Sequence, residues 1–214
     1  MAILLIVVVW LVGALGSGVA ADTPVVVLAA EDPVLRLPVS PDVDRIVSDL
    51  QIEFERLAAV ESDSRIASAL LEISGDPDLL QSVATAPVEM FDNGRAAATA
   101  TPVFSITLEP AVVTVVVTTV ELVPAYGATA ISREHEDGHA LINRSVARRC
   151  AADALAAGVA AGYRGNSLIN SMMAFMADSA DPVHSLYHSA ISSASYGRHL
   201  RLAEQAVAEI DPCR

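Results

Sequence analysis

A chain of 214 residues and 22.3 kDa has the size of one domain, or of one domain with a short appendage. Its 13 basic residues, all arginine, stand against 26 Asp+Glu, and a net charge of −13 repels phosphate and excludes nucleic-acid binding through a basic footprint. Hydrophobic residues at 53% exclude a disordered chain, and two cysteines exclude both a disulfide scaffold and a Cys-only zinc site.

Residues 3–15 are apolar almost without a break, and small residues follow from Gly16 to Ala21 before the first charge at Asp22. This pattern reads as a secretory signal peptide over 1–21, cleaved after Ala20 or Ala21, although no Arg or Lys precedes the apolar core. The alternative is an uncleaved anchor, since a bilayer span needs about 20 residues. Either way the remainder is expected outside the cytoplasm, secreted or in the cell envelope, with no membrane span once the signal is removed. In an oxidising compartment Cys150 and Cys213 are expected to pair.

Residues 22–41 are punctuated by Pro24, Pro33, Pro38 and Pro41 and read as an extended segment, with 25–28 as a strand or linker. A single domain is expected over 42–214. Asp42 caps an amphipathic helix over 43–60, marked by Ile46, Leu50, Phe54 and Leu57. A second helix is predicted from 63 to 73, stopped by Gly75. The Asp76-Pro77 pair opens a short third helix over 78–84. Asn93-Gly94, inside residues 90–95, predicts a hairpin turn. Residues 103–108 and 112–123 are rich in β-branched residues and predict strands, the second mostly buried, with Pro124 and Gly127 ending the β region. Beyond them the pattern is helical. A long helix is capped by Thr129 or Ser132 and runs down near Gly158. A Met-rich helix over 167–180 follows, then another opened by Asp181-Pro182, and after Gly197 a last one over 198–210. Met172, Met173, Phe175 and Met176 read as core packing. The expected class is α+β: a small sheet before the long helix and a mostly helical C-terminal half.

The motif that carries chemistry lies near the start of that long helix. His135-Glu136-Asp137-Gly138-His139 is an HExxH sequence. Residues four apart share one helical face, so both imidazoles can bind one zinc ion. Glu136 lies about 100° around the axis, where its carboxylate can reach a zinc-bound water as general base without occupying a coordination position. With five histidines in 214 residues, the motif arises by chance in on the order of 0.6% of shuffled chains. Catalytic zinc usually has a third protein ligand. The candidates are the downstream histidines His184, His188 and His199, of which His184 and His188, four residues apart, supply one ligand and one neighbour, together with the acids Asp178, Asp181 and Glu204. His199 reads as a surface histidine on the last helix. Tyr187 and Tyr196 are candidates to donate to a tetrahedral oxyanion.

Residues 133–139, their continuation to Cys150, and the later Tyr187-His188 and Tyr196-Gly197 pairs resemble the predicted secreted zinc-dependent proteases of bacteria, an HExxH family of unknown function. The similarity spans roughly residues 100–210. It implies a zincin-like fold and, by matching Tyr187-His188 to the family's downstream motif, His188 as third ligand. The metzincin extension is missing, with Ile142 at its Gly position and Ser145 at its third His. The deuterolysin Gly-Thr-x-Asp signature is missing too. The expected activity is peptide hydrolysis by zinc held on His135, His139 and His188, with Glu136 as base and Tyr187 as a helper. The substrate is expected to be a peptide or protein, laid along the strand at 112–123 as a sheet edge. The alternative is an exported, non-catalytic metal-binding or envelope protein.

Overall fold

The structure, a computed structural model, describes residues 7–8, 25–28, 33–92, 99–109, 112–123, 130–191 and 197–213. Five strands, β1 (Val7–Val8), β2 (Val25–Leu28), β3 (Val34–Pro38), β4 (Thr99–Leu108) and β5 (Val112–Val123), all precede the long helix. Helices α1 (Val43–Val60), α2 (Ser64–Ser74) and α3 (Pro77–Asp92) lie between β3 and β4, and α4 (Ala130–Ala160), α5 (Asn166–Ile191) and α6 (His199–Glu209) complete the chain. The class is α+β, and the C-terminal half is helical.

The sheet is mixed. β4 and β5 pair antiparallel over ten residues, from Thr99 opposite Leu122 to Leu108 opposite Val113. β2 and β3 both lie parallel to the other side of β5, β2 against Val112 to Val115 and β3 against Thr119 to Val123. β1 pairs parallel with Val103 and Phe104 on the far side of β4. β5 is therefore flanked on both sides, and the expectation that residues 112–123 form an edge is overturned. The reason is legible in hindsight: Val113 to Leu122 are buried without interruption, as a strand covered on both faces must be. The Pro-punctuated segment supplies β2 and β3. The signal-peptide region, apart from Val7 and Val8, lies outside the described residues, as do its cleavage positions, Asn93-Gly94, Pro124, Gly127, Thr129 and Tyr196.

Alternation along the strands divides the core in two. Leu35, Val103, Val116, Val120 and Leu122 face α1, α2 and α3. Phe104, Ile106, Val115 and Val117 face α4, α5 and α6. Local chemistry starts the helices: Asp42 accepts from Arg45 N and Asp76 from Leu79 N, as the sequence predicts, and Asp63, expected as the first helical residue, is instead a cap that accepts from Arg65 N. Two helices run further than expected. α3 continues to Asp92 because its buried stripe of Leu79, Leu80, Val83 and Ala84 extends to Val88, which makes 90–92 helical and not part of a turn. α5 passes unbroken through Pro182, where two helices were expected. An interior proline costs about 3 kcal/mol, and the buried face that crosses it, from Met172, Met173 and Met176 to Val183, His184 and Tyr187, offsets that cost. Ser132 lies inside the first turn of α4 and does not precede it. No helix among the described residues is long and apolar enough to cross a membrane.

Cys150, buried on α4, and Cys213, just past α6, form a disulfide. Their separation of 63 residues closes a loop whose removal from the unfolded ensemble is worth about 4 kcal/mol in the chain-entropy model. Cys213→Ser is expected to lower the unfolding free energy by about 2–4 kcal/mol, measured by denaturant titration. An unchanged midpoint would show that the bridge constrains nothing.

Candidate functional site

α4 lays one stripe on the sheet and on α5. His139, Ile142, Asn143, Val146 and Cys150 are buried along it, and His135 sits one turn nearer the N-terminus at its rim. α5 crosses α4 at the motif. Gly138 is what permits the approach: a Cβ placed there would overlap the Tyr187 phenol. The helix can therefore bring Tyr187, His184 and His188, spaced to share one face, against both motif histidines.

All five histidines of the chain meet here. The His139 Nε2 and His135 Nε2 atoms are 3.1 Å apart. Two imidazole nitrogens bound tetrahedrally to one zinc at about 2.0–2.1 Å would stand about 3.3 Å apart. His188 completes the set, and one ligand atom from each of His135, His139 and His188 lies within 4.8 Å of the others. These three residues can hold a metal ion, and they are the three expected from the sequence. His184, the weighed alternative, turns to the other side of His139: the two Nδ1 atoms are 2.9 Å apart, and His184 Nε2 is 2.8 Å from Asn143 Oδ1. It is the neighbour and His188 the ligand candidate.

His199 was expected on the surface and is instead buried, with its ring centroid 5.9 Å from that of His135. Glu134 puts it there. Its carboxylate accepts from Gly197 N at 2.7 Å and from His199 N at 2.9 Å, capping the start of α6, which has no side-chain cap of its own. Gly197, at φ +86°, supplies the turn that lets the chain enter α6 at that angle. Tyr187 is fully buried, stacks on His135 with centroids 5.6 Å apart, and donates its phenolic proton to the His135 carbonyl at 3.0 Å. Donation to an oxyanion would require that bond to break. Asp178, Asp181 and Glu204 are not part of the three-residue cluster.

The acidic half of the motif faces the sheet. The Glu136 side chain is 14% exposed, with Oε1 4.0 Å from His135 Nε2. It accepts a backbone hydrogen bond from Ala100 at the start of β4. Beside it, Arg36 of β3 donates from Nε to Glu121 of β5 at 2.8 Å and from Nη2 to Asp137 of α4 at 2.5 Å. Arg36 and Glu121 are also register partners in the sheet, so the guanidinium ties the motif helix to two strands at once. The sequence carried weak signals for this frame: Glu121 is the one acid in a run of buried β-branched residues, and Asn143 sits four residues past His139 on the same stripe.

Burial governs the charges. It lowers the pKa of His135 and of His184 to about 4 and of His139 to about 2, with neighbouring rings adding to each shift, and it lowers His188 as well. At neutral pH the rings are neutral, which is the form that binds a metal. Burial first, then the Glu121 charge, raises Glu136 to about 8, against a lowering by the Ala100 amide.

No protein-family model, no curated protein and no solved structure matches this chain.

These shifts fix the acid response of the metal-free protein. His135, His139 and His184 gain protons on unfolding at any pH between their folded values and the ordinary 6.5, so stability is lost as pH falls below about 6.5. Glu136 acts in the opposite sense between 4.5 and about 8, and burial also raises Glu72 and Glu121, but His188 adds a fourth lowered imidazole to the other side. The thermal midpoint measured in chelator is expected to fall from pH 7 to pH 5. A midpoint that is flat or rises over that range would show that the rings are not buried neutral.

Proposed function

We propose that the chain is an exported zinc-dependent metallopeptidase with a zincin-like arrangement, in which Glu136 acts as general base on the attacking water. The convergence of His188 from α5 on the two histidines of the α4 motif carries the reading. HExxH alone supplies two ligands; a third, from a separate helix, makes an open catalytic set that leaves a coordination position for solvent or substrate. His135, His139 and His188 would hold a zinc ion, which when bound would supply a Lewis acid for the scissile carbonyl and a water with its pKa lowered to about 7.

The protein's own groups do the rest. Glu136, with Oε1 4.0 Å from His135 Nε2, is placed to take a proton from a water bound beside that nitrogen and pass it to the leaving amine. Its pKa is high because it is buried, and a cation beside it favours the ionised form that a base needs. Tyr187, with its proton on the His135 carbonyl, holds that residue in place and is not assigned to the oxyanion. The substrate strand belongs on the outer edge of β4, because β5 is interior and Ala100 already brings the β4 backbone to Glu136. Among the described residues β1 covers this edge only at Val103 and Phe104, and β1 lies within the 1–21 segment that signal cleavage would remove. The Cys150–Cys213 disulfide supports a location outside the cytoplasm.

Two substitutions separate chemistry from coordination. Glu136→Gln keeps the shape and the ligands, so zinc content by elemental analysis is expected to stay near one per chain while peptide hydrolysis falls by about 10²- to 10⁴-fold. His139→Ala is expected to lose the metal, because two ligands rarely hold zinc. Equal cleavage by wild type and Glu136→Gln would refute the assigned base. Zinc binding without cleavage of any peptide in a broad library would make the protein a metal-binding protein and not a peptidase.

A further inference from the structure

Asn143 and His184 take no part in the reaction just described, yet both are buried beside it, at 4% and 8% exposure. Their contacts fix the position of every proton in a short relay. Asn143 Oδ1 can only accept, so the 2.8 Å contact requires the proton on His184 Nε2. A neutral imidazole carries one N–H, which leaves His184 Nδ1 bare. The 2.9 Å contact between the two Nδ1 atoms then requires the proton on His139 Nδ1. The bare nitrogen of His139 is therefore Nε2, the atom that stands 3.1 Å from His135 Nε2 within the three-histidine cluster. With the relay reversed, the His139 proton would lie on Nε2 and point into the cluster, where it would block coordination.

We propose that Asn143 and His184 are positioning residues that hold His139 as its Nδ1–H tautomer and so keep Nε2 open to a divalent metal ion. The proposal rests on the metal-site reading given above. The Asn143 amide meets the relay through its oxygen alone, its buried Nδ2 having no hydrogen-bond partner. A metal-bound histidine generally needs an acceptor on its other ring nitrogen, most often a carboxylate, a backbone carbonyl or water. Here that acceptor is a second imidazole, itself oriented by an amide placed four residues along the same helix.

The test combines metal affinity with a direct reading of the tautomer. Zinc affinity is measured on the full chain by competition with a chromogenic chelator, and the metal-free fold of each variant is checked by circular dichroism. His184→Leu is expected to weaken zinc binding by about 10- to 100-fold. Asn143→Leu is expected to weaken it in the same direction, whereas Asn143→Asp, which keeps only the acceptor, is expected to retain wild-type affinity. Two-bond ¹H–¹⁵N spectra of the metal-free wild type should show the His139 proton on Nδ1. A His139 proton on Nε2 would overturn the relay, as would unchanged zinc affinity in a folded His184→Leu or equal losses in Asn143→Asp and Asn143→Leu. If His184→Leu does not fold, the Asn143 pair and the wild-type spectrum decide. If wild type binds no zinc, the metal reading fails, and the spectrum still decides the relay by itself.

Discussion

The close crossing of α4 and α5 at Gly138 is the contact on which the site depends. With no side chain at that position, the Tyr187 ring can lie against the motif helix and its hydroxyl can reach the His135 carbonyl. A helix held further away would leave His188 short of the other two imidazoles and His184 short of His139. The same crossing explains why α5 tolerates Pro182. Breaking the helix there would uncouple the Met-lined face that anchors it in the core from the turn that carries His184, Tyr187 and His188. Core packing at one end of α5 and site geometry at the other are thus linked through a single rigid element.

Around that crossing, polar contacts fix the remaining degrees of freedom. Arg36 joins β3 and β5 to Asp137, and Glu134 caps α6 from the neighbouring helix. Each of these residues belongs to the motif or lies next to it in space, so the short stretch from Glu134 to His139 is connected to three strands and two other helices. An exposed ion pair alone contributes about 0–1 kcal/mol, and the Arg36–Asp137 contact is of that kind. Arg36–Glu121 differs, because the Glu121 side chain is 2% exposed and its burial without the guanidinium would leave an uncompensated charge. Burial disfavours the charged forms of His135, His139, His184, His188 and Glu136. The arrangement of these groups around a point that three nitrogens can share is what a cation would stabilise.

Much of this was legible in the sequence, for identifiable reasons. The capped helices at 43–60 and 63–73 and the strand at 112–123 come from local signals, caps and β-branched runs, that tertiary structure does not override. HExxH specifies its own geometry because i and i+4 always share a face. What escaped depends on contacts between distant elements. Whether Pro182 ends a helix is decided by the face buried against α4, and whether 112–123 is an edge is decided by β2 and β3, drawn from a segment whose prolines suggested a linker. His199 looked like a surface residue because its own helix says nothing about Glu134, 65 positions earlier. Asn143 lay in plain sight at i+8 from His135, but an isolated asparagine becomes informative only when its partner on another helix is known.

The claim at the centre is that His135, His139 and His188 form one nitrogen-donor metal site. X-ray absorption at the zinc edge, on protein loaded with one equivalent of zinc, reads that site directly. Three imidazole nitrogens at about 2.0–2.1 Å with one oxygen ligand are expected, and the imidazole signal should fall to two in His188→Ala. An oxygen-only shell in wild type, or an imidazole count that His188→Ala leaves unchanged, would contradict the assignment.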